Sequence, residues 1–268
     1  MWREPFHLQV AEEDETLFLV TEYHGEAIML QPFCAEERET AAVEKIVAWF
    51  REQGLPCRFM GLEKAFAEKL AAMPEYHFEL GTSENESDYV YLTEKLTTLS
   101  GRKLHSKKNH LNAFRKLYPQ AIYLPLTKEL LPACRDVLDE WYQNRTHTTE
   151  KDDPFIATER KGILEVFDDW DFFGVTGGAI RNDGRIIAFT FGEQLNTDTA
   201  VVHVEKADPD MRGAFTAINQ GYVESTWLGK VEYINREEDM GLPGLRHAKE
   251  SYKPVKRIEK FTATLKLA

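Results

Sequence analysis

Three polar residues alternate near the end of the chain: Asn235, Glu237 and Asp239. They come at the end of a predicted strand, and alternation along a strand puts side chains on one face. A carboxylate there can accept a proton from an attacking amine, which must be neutral to act as a nucleophile. We therefore take these three residues as candidate catalytic residues. The alternative is that the carboxylates pair with Arg246 or Lys249 and fix a loop, because structural ion pairing is commoner than catalysis.

A glycine-containing loop precedes a predicted helix in the last third of the chain. The strand predicted over Ala200–Lys206 is followed by the loop Ala207–Gly213, and apolar residues at helical spacing begin at Phe215. The free N–H groups and the dipole of a helix N-terminus favour an anion such as a pyrophosphate. The alternative is that the glycine only serves the turn. The candidate phosphate-binding residues of this loop are Lys206, Arg212, Gly213 and Ala214.

A basic segment lies near the middle of the chain. Residues 102–116 contain six Lys or Arg, two His and no acidic residue, within a helical stretch predicted over Glu94–Tyr118 with a break around Ser100 and Gly101. Such a run is typical of a solvated helix face. Like charges without an acid nearby are also costly unless an anion is present, which favours a phosphate-bearing partner. The candidate ligands of that partner are Arg102, Lys103, Lys107 and Lys108.

The overall composition limits the classes of partner. The 268 residues carry 33 Lys and Arg against 45 Asp and Glu, for a net charge of −12, and 43% are hydrophobic, as in a globular protein. Residues 102–116 contribute +6, so the other 253 residues carry −18. Because most of the protein is acidic, we expect no binding to duplex DNA, which needs clustered cations over a wide surface. We also expect the acidic remainder to repel polyanions, so that only a partner that fits the basic segment closely can bind.

Other classes are excluded by what the chain lacks. Its three cysteines form no C-x-x-C pair, and the histidines lack the spacing of a metal site, so we expect neither a disulfide scaffold nor a bound metal. No apolar run approaches the roughly 20 residues that span a bilayer, and the N-terminus does not resemble a secretory signal. We expect a cytoplasmic protein whose contact with membranes is at most peripheral, with an anionic lipid. Nothing in the sequence indicates an oligomeric state.

The order of predicted elements is clearest in the second half. A polar loop over Thr146–Pro154 is followed by a helix, three strands, the glycine-containing loop, a helix, a strand, a helix and a strand. The predicted strands are Phe172–Ile180, Arg185–Glu193, Ala200–Lys206, Val231–Asn235 and Val255–Leu265, and the last helix is Pro243–Tyr252.

Four segments carry a resemblance to a known family: Leu99–Phe114, His203–Asp208, Ala217–Gln220 and above all Tyr233–Pro254. They resemble a bacterial family related to the C-terminal catalytic domain of phosphatidylglycerol lysyltransferases, and the element order resembles the acyl-CoA N-acyltransferase (GNAT) fold. The resemblance implies an α/β (α+β) protein of two GNAT-like domains in tandem, each a mixed, mostly antiparallel sheet flanked by helices. We place these domains at residues 1–120 and 121–268.

The resemblance also implies a function. We expect a soluble acyltransferase that moves an acyl or aminoacyl group to an amine or hydroxyl acceptor without a tightly bound cofactor. The basic segment and the family favour an aminoacyl-tRNA donor, whereas the fold favours acyl-CoA. The alternative is a non-catalytic GNAT-like module that binds a phosphate-bearing ligand, because the loop before the helix has only part of the expected glycine pattern.

Overall fold

Two β-sheets organise the protein, and each belongs to a different unit of the chain. The computed structural model describes residues 3, 6–23, 25–145 and 154–266. The N-terminal unit comprises the residues up to Ser87 together with those from Glu259 onward, and the C-terminal unit runs from Asp88 to Ile258. Most of the polar loop predicted before the second-half helix, residues 146–153, lies outside the described residues.

The described elements alternate between strands and helices along most of the chain. The strands are β1 (Gln9–Glu13), β2 (Thr16–Tyr23), β3 (Glu26–Leu30), β4 (Arg58–Leu62), β5 (Phe78–Thr82), β6 (Asp88–Leu92), β7 (Ile122–Pro125), β8 (Thr176–Asn182), β9 (Arg185–Gln194), β10 (Thr199–Ala207), β11 (Tyr233–Asn235), β12 (Lys256–Ile258) and β13 (Phe261–Leu265). The α-helices are α1 (Glu39–Glu52), α2 (Lys64–Ala72), α3 (Thr93–Thr98), α4 (His105–Leu117), α5 (Leu131–Arg145), α6 (Pro154–Asp168), α7 (Trp170–Phe173), α8 (Ala214–Tyr222) and α9 (Pro243–Glu250).

The N-terminal unit is built on a six-stranded sheet in the order β1-β2-β3-β4-β13-β5. The β3–β4 pair is parallel and the others are antiparallel. Helix α1 buries Val43, Ile46, Val47 and Phe50, which recur at helical spacing, in the apolar core of this unit.

The C-terminal unit is built on a seven-stranded sheet in the order β12-β6-β11-β10-β9-β8-β7. One apolar cluster packs α3, α4 and α8 on the sheet, and a second packs α5, α6 and α7 on it. Ala188 and Phe189 are adjacent on β9 but belong to different clusters, so the two clusters cover opposite faces. Seven consecutive residues of β9 are buried, as expected for a strand covered on both faces.

The helical break predicted around Ser100 and Gly101 is confirmed. Helix α3 ends at Thr98; the next residue, Leu99, has a φ of 47°, and Gly101 has a φ of 100°. These left-handed conformations are incompatible with a continuing helix. The basic segment therefore begins a new element, a short 3-10 turn that leads into α4.

The single strand predicted over Val255–Leu265 is wrong, because the structure has two strands there. Strand β12 pairs with β6, whereas β13 lies between β4 and β5. The alternation of side chains is similar in both strands, so it could not reveal that they pair in different sheets. The residues between them, Glu259 and Lys260, mark the passage from one unit to the other.

The division into units also differs from the predicted domains, 1–120 and 121–268. Strand β6 pairs with β11 and β12, and α3 and α4 pack with α8 in one apolar cluster. The basic segment therefore belongs to the C-terminal unit, and the last strand of the chain belongs to the N-terminal unit.

The position of β13 generates a prediction for Ala263, which is fully buried in the core of the N-terminal unit. Ala263→Asp should destabilise that unit by at least about 3 kcal/mol, because it buries a carboxylate without a partner. Hydrogen exchange of the β4 and β5 amides measures this loss. The control is Thr264→Asp at a half-buried position, which should cost much less; equal exchange in both variants would contradict the assignment of β13 to this core.

Candidate functional site

The parallel pairing of β10 and β11 creates an opening in the sheet of the C-terminal unit. It joins only three residue pairs, Thr199–Val201 with Tyr233–Asn235. Strand β11 ends at Asn235, whereas β10 continues to Ala207 and leads through a loop to α8. The two chains therefore part in the middle of the sheet, where side chains from both can converge.

A β-bulge in β10 lies at the start of this opening. The register with β9 shifts between Val202 and Val204, so that His203 is the extra residue. On the neighbouring strand, a Cβ at Gly192 would lie 1.9 Å from the carbonyl oxygen of Val201. Glycine is therefore required where β9 approaches the bulged strand this closely.

The bulge places His203 between two carboxylates. Its Nδ1 lies 2.9 Å from Oε1 of Glu237, and its Nε2 lies 3.0 Å from Oε1 of Glu193. The side chains are partly accessible, with 23% of His203 and 32% of Glu237 exposed. The three groups form a continuous hydrogen-bonded chain that can share and pass a proton.

The environment changes the pKa of both central groups. Burial alone would lower the pKa of His203, but the hydrogen bonds and charges of Glu237 and Glu193 outweigh it and raise that pKa. Burial also raises the pKa of Glu237, which the hydrogen bond and charge of His203 only partly offset. A carboxylate with a raised pKa is better matched to accepting a proton near neutral pH.

The predicted strand does not persist beyond Asn235, so the three candidate catalytic residues do not share one strand face. Glu237 has a φ of 56°, which turns the chain. The Glu237 N–H donates to Oδ1 of Asn235 at 2.7 Å, and the buried Asn235 amide donates to Oδ2 of Asp88 at 2.9 Å. Asn235 therefore orients the turn from inside the protein, and Glu237 presents the accessible carboxylate.

Asp239 is held in an ion pair. Arg246 donates from Nε at 2.9 Å and from Nη2 at 3.0 Å, and Tyr89 and the Gly241 N–H donate to the same carboxylate. Burial would raise the pKa of Asp239, but the bonds from Arg246, Tyr89 and Gly241 lower it to about 2. The alternative considered from the sequence, an ion pair with Arg246, is what the structure has for Asp239. Glu237 instead pairs with His203.

A second polar cluster lies around Arg236. Its Nη2 donates to Oε1 of Glu205 at 3.1 Å, and Asn219 on α8 donates to Oε2 of the same carboxylate at 2.9 Å. The ammonium of Lys107 lies 4.2 Å from the centre of the Tyr252 ring. Burial, followed by the charge of Arg236, lowers the pKa of Lys107 to about 8. Lys107 is thus the candidate of the basic segment that turns inward.

The two clusters lie on opposite faces of the sheet. Glu193 is two residues from Phe191, which packs in the cluster of α5, α6 and α7, so both side chains point to that face. Glu205 instead bonds Asn219 of α8. The end of the β10–β11 pairing thus has the Glu237–His203–Glu193 chain on one side and the ion pair of Arg236 and Glu205 on the other.

The structure places Lys206 away from the predicted phosphate-binding loop. Its ammonium donates to Oε2 of Glu159 at 2.7 Å and lies 3.6 Å from the centre of the Trp141 ring. Both partners are on the helices that cover the opposite face from α8. Lys206 is buried there as part of an ion pair and does not join the other loop candidates.

Gly213 caps the N-terminus of α8 with a φ of 88°, and α4 packs closely against it. A Cβ at this position would lie 2.4 Å from the carbonyl oxygen of His110. The need for glycine is therefore explained by helix packing. Ala214 is buried in the first turn, and Arg212 is exposed.

The other basic candidates are exposed. Arg102, Lys103 and Lys108 face solvent on the 3-10 turn and on α4, while Leu111 and Phe114 anchor α4 in the core. The exposed cations and the inward Lys107 thus lie on the 3-10 turn and on the first turn of the amphipathic helix that follows it.

Sequence reasoning did not select His203 or Glu193. A single histidine among the valines and alanines of a buried strand was the signal available for His203. Glu193 gave none, because its role depends on a bulge in the neighbouring strand. The described residues contain no helix long and apolar enough to cross a membrane. Nor does this part of the chain place three or more His, Cys, Asp or Glu together in a group that could hold a metal ion.

Two mixed, mostly antiparallel sheets flanked by helices, one of them opened beside a bulged strand, define a tandem GNAT-like fold. The sequence profile described as phosphatidylglycerol lysyltransferase, C-terminal, matches residues 1–264, and the chain belongs to this family. Both results confirm the resemblance and the fold class expected from the sequence.

Solved structures of similar proteins agree with this assignment. A conserved protein of unknown function from Bacteroides thetaiotaomicron is 33% identical with a TM-score of 0.90, covering 99% of this chain and 88% of that one. The C-terminal domain of a putative lysylphosphatidylglycerol synthetase from Agrobacterium fabrum is 14% identical with a TM-score of 0.70, covering 97% and 84%. L-PGS from Bacillus licheniformis is 15% identical with a TM-score of 0.69, covering 96% and 83%. The last two likenesses show the shared fold.

One curated relative also matches. An uncharacterized protein of Mycoplasmoides gallisepticum is 25% identical over 188 residues, which are 66% of this chain and 56% of the relative. The match thus spans little more than half the length of that protein.

The ion pair of Asp239 generates a prediction for stability. Asp239→Asn should lower the free energy of unfolding by about 3 kcal/mol at pH 7, because it replaces the buried carboxylate that Arg246 and Tyr89 bind by a neutral amide. Because the folded pKa of Asp239 lies below its ordinary value of 3.8, its contribution is complete above that value and is lost as pH falls toward 2. Urea unfolding at pH 7 and near pH 2.5 measures both effects.

The control for this measurement is Asp210→Asn, which changes an exposed carboxylate in the loop before α8. It should change the free energy of unfolding by less than about 0.5 kcal/mol. A difference between wild type and Asp239→Asn that is the same at both pH values would rule out the ion pair as its cause.

Proposed function

We propose that the C-terminal unit transfers an aminoacyl group from an aminoacyl-tRNA to an acceptor amine or hydroxyl. The observation that carries this proposal is the hydrogen-bonded chain Glu237–His203–Glu193 at the opening between β10 and β11. It supplies an accessible proton acceptor at the place where the sheet parts.

The reaction needs a group that takes a proton from the attacking substrate and a route by which that proton reaches the leaving group. The acceptor's oxygen or nitrogen attacks the ester carbonyl of the donor, forming the new bond, and the ester bond to the tRNA ribose breaks. Glu237 takes the proton that the nucleophile loses, and His203 stabilises it by sharing it. The proton then passes to the leaving ribose oxygen, so that the carboxylate is restored for the next turnover.

The choice of donor rests on the basic segment and on α8. Arg102, Lys103 and Lys108 are exposed cations within one short segment, which suits a polyanion, whereas the rest of the protein is acidic. Helix α4 approaches the N-terminus of α8 at Gly213, where a GNAT-like fold would hold the pyrophosphate of CoA. Both observations favour aminoacyl-tRNA over acyl-CoA.

The acceptor is proposed from the family and its relatives. The family is described as phosphatidylglycerol lysyltransferase, and two similar structures carry the names lysylphosphatidylglycerol synthetase and L-PGS. These names make lysyl-tRNA and an anionic glycerophospholipid the first substrates to test, with peripheral contact at the lipid surface. A tRNA donor also implies that the reaction takes place in the cytoplasm.

The proposed base generates the central prediction. Glu237→Gln should lower kcat for transfer by at least about 100-fold, because the amide cannot accept the proton. Since burial raises the pKa of Glu237, the wild-type rate should rise with pH through a pKa above the ordinary 4.5, and this limb should vanish in the variant. The assay follows labelled lysine from lysyl-tRNA into phosphatidylglycerol vesicles or a soluble amine.

The matched control is Glu232→Gln, an exposed carboxylate just before β11, which should leave kcat unchanged. A parallel assay offers acetyl-CoA as the donor. Transfer from acetyl-CoA but not from lysyl-tRNA would contradict the proposed donor and favour acyl-CoA instead. Binding of tRNA without turnover of either donor would leave the non-catalytic module as the function.

The basic segment generates a separate prediction for binding. The triple variant Arg102→Glu/Lys103→Glu/Lys108→Glu should weaken tRNA binding by at least about tenfold at low salt. It should also make log K less dependent on log salt, by roughly 0.7–0.9 for each phosphate that the variant no longer binds. Fluorescence anisotropy with labelled tRNA at several salt concentrations measures both. Lys64→Glu, an exposed charge reversal on α2, is the control. It changes the net charge by one third as much, so a change in log K about one third as large would point to net charge alone.

A further inference from the structure

Helix α9 reaches the turn that carries Glu237 through one buried lysine. Lys249 is only 7% exposed, and its ammonium donates to the backbone carbonyls of Arg236 and Glu238. These are the residues on either side of Glu237. A single side chain therefore binds the carbonyls of both residues that neighbour the proposed base.

The turn needs such support because of its backbone conformation. Glu237 has a φ of 56°, which a residue with a side chain adopts only when its surroundings enforce it. The Asn235 side chain accepts from the Glu237 N–H, and the Tyr89 N–H donates to the Glu237 carbonyl at 3.1 Å. Lys249 adds two further bonds, to the carbonyl of the residue before Glu237 and to the carbonyl of the residue after it.

Burying a lysine in this space costs more free energy than burying an apolar side chain of similar size. Burial, and then the charge of Arg236, lowers the pKa of Lys249 to about 8, so the amine is still mostly protonated at neutral pH. A methionine of similar length would fill the volume without burying a charge. The bonds to the two carbonyls therefore explain why a charged side chain, and not an apolar one, occupies this position.

Helix α9 is itself fixed in place. The Tyr91 hydroxyl donates to the Lys249 carbonyl at 2.8 Å, and Arg246, one turn earlier, binds Asp239. Helix α9 thus binds the segment after β11 at two points, through Arg246 and through Lys249. Only the Lys249 contact lies directly beside Glu237.

We propose that Lys249 is a positioning residue for Glu237, holding its carboxylate against His203 through the two flanking carbonyls. Lys249 touches no reacting atom. The geometric part of the inference stands on the contacts alone, whereas its consequence for turnover rests on the proposed function.

The pKa of His203 is a direct readout of this role. In Lys249→Met the turn is released, Glu237 leaves His203, and the pKa of His203 should fall toward its ordinary value. Loss of the nearby positive charge without any movement would instead raise that pKa. NMR titration of the histidine ring, assigned with His203→Gln, therefore separates positioning from a purely electrostatic or packing role.

Two further variants make the titration decisive. Lys249→Gln keeps one amide donor and should shift the pKa of His203 in the same direction by less, which preserves the test if the methionine variant does not fold. Lys253→Met, an exposed lysine just after α9, is the control and should leave the titration of His203 unchanged. An unchanged or raised pKa in the folded Lys249 variants would overturn the proposal.

Kinetics test the consequence for turnover. Lys249→Met should lower kcat for transfer at least about tenfold with little change in KM, because a misplaced base slows the chemical step while substrate contacts remain. An unchanged kcat beside a lowered pKa of His203 would overturn the catalytic consequence. If wild-type protein transfers no aminoacyl group, the proposed function fails, and the NMR titration still decides whether Lys249 positions Glu237.

Discussion

The early end of the parallel pairing between β10 and β11 is the constraint on which the site depends. Three residue pairs join the strands, and beyond Asn235 the β11 chain turns away while β10 continues. Beyond the last pair, side chains of the two chains meet where backbone hydrogen bonds would otherwise join the strands. The bulge at His203 and the left-handed turn at Glu237 both occur where the pairing ends, and together they bring an imidazole and a carboxylate into contact.

Buried charges hold the chain that leaves β11. Arg236 is bound by Glu205, and Asp239 is bound by Arg246. Each pair costs desolvation and yields little net stability compared with apolar packing, but breaking either one removes a main compensation for the desolvation of the charge that remains. The arrangement therefore favours one conformation of the segment over its alternatives, which is what a site built on a turn rather than on a strand requires.

Local patterns predicted much of the fold, because the information they need lies within a few residues. The strand predicted over Arg185–Glu193 and the break around Ser100 and Gly101 both depend on neighbours in sequence. The end of the chain shows the limit of such patterns, since β12 and β13 have similar alternation and differ only in the distant strands they pair with.

The residues of the site also differ in how far the sequence alone could identify them. The region after β11 and Glu237 could be selected from residue types and spacing, but whether a given charge is accessible depends on partners far away in sequence. Lys206 is neutralised by Glu159 and Asp239 by Arg246, whereas Glu237 meets a histidine that a bulge turns toward it. A sequence pattern names the charges and cannot tell which of them are already paired.

The return of β13 to the N-terminal unit affects the order in which the chain can fold during synthesis. A ribosome completes residues 88–258 before it makes β13, and those residues contain every strand of the seven-stranded sheet. The six-stranded sheet lacks an interior strand until Phe261–Leu265 has emerged, which leaves the facing edges of β4 and β5 unpaired in the meantime. The unit that is translated first is thus the one that finishes folding last, and its exposed strand edges are where a nascent chain of this protein is most open to mispairing and to chaperones.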